Sequence, residues 1–196
     1  MNNFKQIWWV LGSFLLMIFS TQVSLAQTFK VNKSASNMKI EGSSNVHDWE
    51  EEVGDFQGTL AAELENGQLV KINQLDFTVI AESIKSEHSA MDKNTYKALE
   101  TKKNPKITFQ LDKVNNIDCT SGSKCKVVTS GYLTIAGTKK QVELIFDATV
   151  KGDKIALSGS KSIKMSEYKI EAPTAMFGAI TTDDEVKINF NTVFTK

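Results

Sequence analysis

Residues 105–113, PKITFQLDK, carry the clearest structural signal in the chain. Ile107, Phe109 and Leu111 alternate with polar residues, and successive side chains of an extended strand point to opposite faces. One face of this strand is therefore apolar and the other faces water, which is typical of an antiparallel sheet that packs on one side only. The stretch predicts an antiparallel β-protein.

The same two-residue period recurs in segments before and after this stretch. The polar turns ENGQ (65–68), AGTKK (136–140) and KGDK (151–154) separate them, and such short turns predict that consecutive strands pair with each other. The apolar positions that share the inward face in these segments are Leu75, Phe77, Val79, Leu133, Ile135, Val142, Leu144, Phe146, Ala148, Val186, Ile188 and Phe190.

The period becomes helical in residues 86–101, and the Asn-Pro pair that follows favours termination. The patterns together predict an all-β domain with about eight antiparallel strands and one inserted α-helix. Alternation does not distinguish a sandwich from a barrel. Closure into a barrel removes the exposed edges, and eight strands enclose room for side chains or one small ligand. The predicted helix has one face made of Met91, Thr95, Ala98 and Leu99.

Residues 1–26 have the organisation of a secretory signal peptide. A lysine precedes the apolar run 7–19, and small residues occupy positions 24 and 26. The run is shorter than the roughly 20 residues that span a membrane, so we expect cleavage after Ala26 rather than a membrane anchor. This leaves one domain, residues 27–196, in the periplasm or outside the cell.

Two cysteines, Cys119 and Cys125, lie close together across a Ser/Gly-rich turn. In an exported protein such a pair favours a disulfide that closes the tip of a hairpin. A metal or redox pair is the alternative, but two thiolates without a nearby histidine supply only half of a zinc site.

The charge of the chain is balanced, with 23 basic and 23 acidic residues, and every basic residue is a lysine. A neutral chain argues against nucleic acid as a partner. Without arginine, an anionic ligand would have to be held by lysines or backbone amides.

We find no combination of residues in the sequence that predicts catalysis, so we expect neither enzymatic activity nor a cofactor. His47 and Asp48 are neighbours that could act as base and acid, but adjacent strand residues point to opposite faces. His88 starts the predicted helix, and no spacing pairs it with His47 as metal ligands. The acidic run 50–52 is interpreted as solvated charge.

Residues 171–180, EAPTAMFGAI, are unusually apolar for a loop, because loop backbone normally faces water. We interpret them as a lid over one end of the barrel, with Met176 and Phe177 directed into a cavity. Pro173 would restrict the backbone there, and Gly178 would allow the sharp return. Methionine adapts well to an irregular apolar ligand. The alternative is that the same residues cap the core of a ligand-free barrel.

Four segments together resemble the YceI-like family of lipid- and polyisoprenoid-binding proteins: GSSNVHDW (42–49), KNPKITF (103–109), GYLTIAGTKKQVEL (131–144) and YKIEAPTAMFGAITTDDEVKINF (168–190). The resemblance extends over residues 29–194. It implies an exported bacterial protein with an elongated, lipocalin-like antiparallel barrel, which in some members holds a long isoprenoid in an apolar tunnel. Dimers are usual in that family.

On this resemblance we expect a periplasmic carrier or storage protein that binds a polyisoprenoid or related lipid noncovalently, without a stable membrane anchor, and that can form a homodimer. One alternative is an accessory factor or enzyme that acts on an isoprenoid or quinone through His47 and Asp48. Another is a ligand-free interaction module of the envelope. The residues expected to bind the lipid are Phe77, Val79, Ile107, Phe109, Leu111, Leu133, Ile135, Leu144, Phe146, Met176 and Phe177.

Overall fold

Twelve β-strands and one α-helix follow one another in residues 26–196, the part of the chain that this computed structural model describes. The helix, α1, comprises Ser89–Ala98 and lies between the sixth and seventh strands. Single 3₁₀ turns occur at Lys33–Ala35, Ala81–Ser83, Met165–Tyr168 and Met176–Gly178. The strands are β1 (Gln27–Val31), β2 (Asn37–Ser44), β3 (Trp49–Val53), β4 (Phe56–Glu65), β5 (Gln68–Ile80), β6 (Ile84–Lys85), β7 (Lys106–Ser121), β8 (Lys124–Ile135), β9 (Thr138–Lys151), β10 (Lys154–Lys164), β11 (Thr174–Ala175) and β12 (Ile180–Thr195).

Eight of the described strands form a closed ring in the order β1-β4-β5-β7-β8-β9-β10-β12. The ring closes because β12 pairs with β1, Lys30 opposite Thr195 and Val31 opposite Phe194. Another part of β12 pairs with β2, and β3 and β6 extend the sheet from there, all antiparallel. The predicted antiparallel barrel of about eight strands with one helix is confirmed.

The hairpin turns fall at the polar segments that the sequence predicted. Asn66, Gly67, Ala136, Gly137 and Gly152 all have positive φ angles, the conformation that tight turns between twisted strands need. As a result β4 pairs with β5, β8 with β9, and β9 with β10, each strand with the next one along the chain.

The helix α1 is shorter than the predicted span of residues 86–101. Asp92, in the first turn of α1, accepts hydrogen bonds of 2.8 Å from the backbone N and from the Oγ of Ser86, which precedes the helix. These bonds hold the preceding residues in a turn, so the regular helix begins only at Ser89. Its predicted inward face is confirmed, since all four of its members face the barrel interior: Met91, Thr95, Ala98 and Leu99.

One half of the barrel has a solid core, and the other half is hollow. Two smaller groups of buried side chains, one around Tyr168 and one around Ile84, surround the hollow half. Leu111 and Leu144 pack against the solid core. Its buried members are Phe29, Leu60, Ala62, Leu69, Ile72, Leu75, Cys125, Val127, Phe146, Ala148, Val150, Ile155, Leu157 and Phe194.

A disulfide joins Cys119 of β7 to Cys125 of β8 near the tip of their hairpin, as the sequence predicted. The Cys125 side chain is fully buried in the solid half of the barrel. The crosslink therefore fixes the end of the hairpin to the solid core, far along the strands from the hollow half.

Replacing both cysteines, as Cys119→Ala with Cys125→Ala, is expected to lower the free energy of unfolding by about 2 kcal/mol, because a short crosslinked loop restricts the unfolded chain only moderately. Urea unfolding followed by circular dichroism measures this change. Reduction of the wild-type protein is the matched control and should give a similar shift. An unchanged midpoint in the reduced protein would contradict the prediction.

The signal peptide predicted for residues 1–26 stays a prediction, because residues 1–25 lie outside the described part of the chain. From residue 26 onward, no helix is long and apolar enough to cross a membrane.

Candidate ligand-binding cavity

The hollow half of the barrel contains a cavity of about 500 Å³ that α1 covers on one side. This volume lies within the range of roughly 300–1,000 Å³ that is usual for small-molecule sites. The walls come from β2, β3, β5, β6, β7, β8, β10 and β12, together with β11 and the segments on either side of it. Most of the side chains that line it are aliphatic, aromatic or methionine.

Many of the predicted ligand-binding residues line this cavity. Leu111 and Leu144 instead pack against the solid core, and Phe146, only 2% exposed, is part of it. These three do face inward, but they lie too far along their strands to reach the hollow half. The predicted residues that the structure brings together at the cavity are Phe77, Val79, Ile107, Phe109, Leu133, Ile135 and Met176.

The expectation that Phe177 points into the cavity is wrong. Its side chain is fully exposed, and Met176 beside it is 71% exposed although it reaches the cavity wall. Met176 and Phe177 have φ angles of 51° and 57°, in the left-handed region that non-glycine residues rarely adopt. This backbone turns the Phe177 side chain outward at the tip of the loop.

Other cavity residues were not among the predicted ligand-binding residues, and many of them belong to elements whose inward positions are less obvious in the sequence. β3 is short and acidic, and the segment after β10 has no simple period. The alternation in β12 and the helical period of α1 were the signals that could have identified part of this set. The principal additional residues are Met38, Ile40, Trp49, Glu51, Val53, Ile84, Met91, Asn94, Thr95, Ala98, Leu99, Ile163, Met165, Ile170, Val186 and Ile188.

Two aromatic rings on the inner wall pack directly over glycines. A Cβ atom on Gly131 would lie 2.5 Å from the ring of Phe109, and the ring of Trp49 covers Gly42 in the same way. A larger residue at either glycine would push the ring into the cavity. The glycines therefore help to set the width of the hollow half.

The floor of the cavity is aromatic. Phe109 packs against the solid core and also against the groups of side chains around the cavity, and Phe77 does the same. A ligand that enters the cavity would therefore end against these two rings.

The mouth of the cavity lies between α1 and two loops, the β2–β3 loop and the segment 171–180. Among the residues that line the cavity, His47, His88, Ala90, Thr174 and Met176 are the exposed ones. They mark where the cavity opens to solvent.

Asn45 joins the two loops beside the mouth. Its Nδ2 donates to the carbonyl oxygen of Ala179, and its Oδ1 accepts from the backbone N of Thr181, both at 2.9 Å. The β2–β3 loop thereby holds the segment 171–180 at the rim of the barrel.

His47 and Asp48 do not form a catalytic pair in this arrangement. The Nδ1 of His47 lies 2.8 Å from the backbone oxygen of Asp48, whereas the Asp48 carboxylate accepts a hydrogen bond of 2.7 Å from Ser43. His47 lines the cavity, and Asp48 lines a separate acidic groove on the outside. The side chains of His47 and Asp48 therefore face two separate sites, the cavity and the outer groove.

Glu51 is buried inside the barrel, so the interpretation of residues 50–52 as wholly solvated is wrong for this residue. Only 2% of it is exposed, it lines the cavity, and its Oε1 accepts a hydrogen bond of 2.6 Å from the Thr95 hydroxyl. Burial raises the pKa of Glu51, the Thr95 bond opposes this rise, and the nearby Asp92 carboxylate adds to it. Removal from water makes the charged form unfavourable.

The raised pKa of Glu51 predicts a specific dependence of stability on pH. The folded state binds the Glu51 proton more tightly than the unfolded state, where the pKa is near 4.5. The free energy of unfolding of the wild-type protein should therefore fall, relative to Glu51→Gln, as the pH rises above 4.5 through the folded-state pKa. Urea unfolding of both proteins at a series of pH values measures this difference, in which the contribution of Asp92 largely cancels. A difference that does not change with pH would contradict the prediction.

Metal ligation has little support in the described residues, where no group of three or more His, Cys, Asp or Glu side chains could hold an ion. His47 and His88 both reach the mouth, but they lie there as separate side chains on a loop and at the start of α1.

The fold and the cavity together define a class, that of closed antiparallel barrels with an apolar pocket at one end. The family model of the YceI-like domain matches residues 29–194. The chain belongs to the YceI-like family.

Solved structures with the same fold share little sequence with this chain. Burkholderia cenocepacia BcnA is 19% identical with a TM-score of 0.65, over 83% of this chain and 98% of that chain. A polyisoprenoid-binding domain from Saccharophagus degradans is 12% identical with a TM-score of 0.65, over 85% and 97%. The Campylobacter jejuni YceI protein is 22% identical with a TM-score of 0.54, over 74% and 84%. At these identities the likeness supports the fold alone. No curated protein matches this chain in sequence.

Proposed function

We propose that this protein binds a polyisoprenoid or a related long-chain lipid noncovalently in the cavity, as a carrier or store in the periplasm. The observation that carries the proposal is the cavity itself, a nearly continuous apolar lining that ends on Phe77 and Phe109 and opens to solvent at one end. A single hydrocarbon chain could enter at the mouth and lie along the barrel axis.

The physical driving force is the removal of the chain from water. Each buried methylene contributes about 0.8 kcal/mol, and several isoprene units offset an association cost on the order of 4–15 kcal/mol. Binding with a Kd in the micromolar range therefore needs no charge on the ligand. Specificity would come from the depth of the cavity and from the polar groups on its wall.

The family supports a lipid ligand and export. The Saccharophagus degradans relative of the fold is described as a polyisoprenoid-binding domain, and we extend that class of ligand to this chain. The disulfide between Cys119 and Cys125 is of the kind that persists in oxidising compartments. Together with the predicted signal peptide, it supports a periplasmic or secreted protein.

We favour a binding protein over an enzyme because the groups that could perform acid-base chemistry are apart. The carboxylate of Asp48 accepts a hydrogen bond from Ser43 outside the barrel, and His47 lies at the mouth of the cavity. An enzyme acting through His47 would lose turnover on His47→Ala, whereas the carrier should retain its lipid in that variant.

The test is to express the full chain in a native-like host, purify it from the periplasm without detergent, and record native mass spectra before and after organic extraction. We expect a stoichiometric adduct that extraction identifies as a hydrocarbon-chain lipid. The same spectra report whether the protein is a homodimer. Protein without any adduct, which also takes up no added polyprenol, would contradict the proposal and favour a ligand-free interaction module.

A further inference from the structure

We propose that Glu51 binds the head group of the lipid, and that the head group is uncharged and carries a hydroxyl or carbonyl oxygen. This inference rests on the proposed lipid-binding function and adds to it a residue and a chemical class. Among the described residues, Glu51 carries the one carboxyl group on the lining of this mostly apolar cavity.

The Glu51 side chain is built into the cavity wall. It lies on β3 between the inward residues Trp49 and Val53, and it is 98% shielded from solvent, since only 2% is exposed. Thr95 on α1 donates to its Oε1 at 2.6 Å. Within residues 26–196, the other oxygen, Oε2, has no hydrogen-bond donor. It is not among the fully buried atoms that lack a partner, so it keeps some accessible surface at the cavity wall. A carboxyl oxygen without a partner at a cavity wall favours a ligand that supplies one.

Polar groups gather on the same wall as Glu51. Asn94 and Thr95 both line the cavity from α1, and the side-chain amide of Asn94 has no hydrogen-bond partner among the described residues. The floor at Phe77 and Phe109 is wholly apolar by contrast. A lipid with its head group near α1 and its chain toward the floor would place its oxygen against the polar side chains and its hydrocarbon against the apolar rings.

Charge argues against a phosphorylated head group. Within residues 26–196, no lysine lines the cavity, and the chain has no arginine to form a bidentate pair with phosphate. The carboxyl group on the lining, that of Glu51, brings no positive charge in either protonation state. Among the described lining residues, the side chains that can carry positive charge are His47 and His88, both at the mouth.

A neutral oxygen suits this wall better. Burial raises the pKa of Glu51, which favours the protonated carboxyl group, and that group can donate from Oε2 to a hydroxyl or carbonyl oxygen while Oε1 accepts from Thr95. Prenyl alcohols and prenyl quinones share this chemistry. A prenyl phosphate fits less well, because the described lining residues include no lysine or arginine to pair with its negative charge.

The experiment compares hexaprenol, hexaprenyl phosphate and squalene, which share a chain of six isoprene units and differ in the head group. A quinone with the same side chain represents the carbonyl case. Each is presented to the delipidated protein from methyl-β-cyclodextrin, and bound lipid is measured by native mass spectrometry. The variants are Glu51→Leu, the isosteric Glu51→Gln, and Glu52→Gln as a control, because Glu52 is the next residue and its side chain is exposed. Circular dichroism confirms that each variant is folded.

We expect the wild-type protein to bind hexaprenol or the quinone roughly 10-fold more tightly than squalene, the gain typical of one buried hydrogen bond. Glu51→Leu should remove this preference by weakening hexaprenol and the quinone more than squalene, while Glu51→Gln should keep part of it. Hexaprenyl phosphate should bind the wild type more weakly than hexaprenol. The difference in affinity between these two ligands should be smaller in both Glu51 variants. Glu52→Gln should behave as wild type.

Three results would overturn the inference. They are equal binding of hexaprenol, the quinone and squalene to the wild type, tighter binding of the phosphate, and an equal loss for all ligands in Glu51→Leu. Each of these leaves the lipid-binding function intact. Failure of every ligand to bind the wild type would overturn the proposed function as well.

Discussion

Ala98→Trp is expected to weaken the binding of a long isoprenoid by roughly 100-fold while the protein stays folded. Ala98 lies on the last turn of α1, faces the cavity, and has one of the smallest side chains in the lining. An indole ring at this position would occupy space that the lipid chain needs. Excluding three or four methylenes, at about 0.8 kcal/mol each, corresponds to that loss of affinity.

The control for this prediction is Lys97→Trp, the same substitution on the neighbouring, exposed position of α1. It adds an indole to the same helix without entering the cavity, so it should bind lipid as the wild type does. The measurement is the lipid content of protein purified without detergent, together with uptake of added hexaprenol. Normal uptake by a folded Ala98→Trp protein would show that the lipid binds elsewhere.

The strand pattern predicted which residues face the barrel interior, but not how far along the barrel they lie. Phe109 and Leu111 share one face of β7, yet Phe109 borders the cavity and Leu111 packs against the solid core. Alternation has a period of two residues and carries no information on depth. Depth depends on the register between strands and on which end of the barrel α1 covers, and both are set by contacts between residues distant in sequence.

Glu51 was missed because the charges of β3 hide its alternation. β3 reads Trp-Glu-Glu-Glu-Val, and three consecutive glutamates are typical of solvated charge. The two-residue period nevertheless puts Glu51 on the same face as Trp49 and Val53, and the register with β2, which places it opposite Ile40, agrees. The exposed direction of Phe177 was equally hidden, because it depends on a left-handed backbone that non-glycine residues seldom adopt.

The division of the barrel into solid and hollow halves predicts that stability and lipid binding can be changed separately. Phe146→Ala should lower the free energy of unfolding by about 3–5 kcal/mol, because it removes a fully packed ring from the solid core. The folded fraction should still bind lipid with wild-type affinity, because Phe146 does not reach the cavity.

Ile107→Ala provides the opposite case. Ile107 is half-buried and borders the cavity, so its side chain has fewer protein contacts to lose. The free energy of unfolding of the delipidated protein should therefore fall by only about 1–2 kcal/mol. Lipid binding should weaken measurably, because the lost methylenes would have contacted the chain directly.

The two variants are compared by urea unfolding of delipidated protein and by hexaprenol uptake at a temperature where both are folded. If Phe146→Ala lost lipid binding as fully as Ile107→Ala, the cavity would have to extend into the half that is solid here, and the floor at Phe77 and Phe109 would have to open. If instead Ile107→Ala cost as much stability as Phe146→Ala, the hollow half would have to collapse around its own side chains without a ligand. The expected pattern, in which each substitution affects mainly one property, requires both a packed core and a preformed cavity in the same barrel.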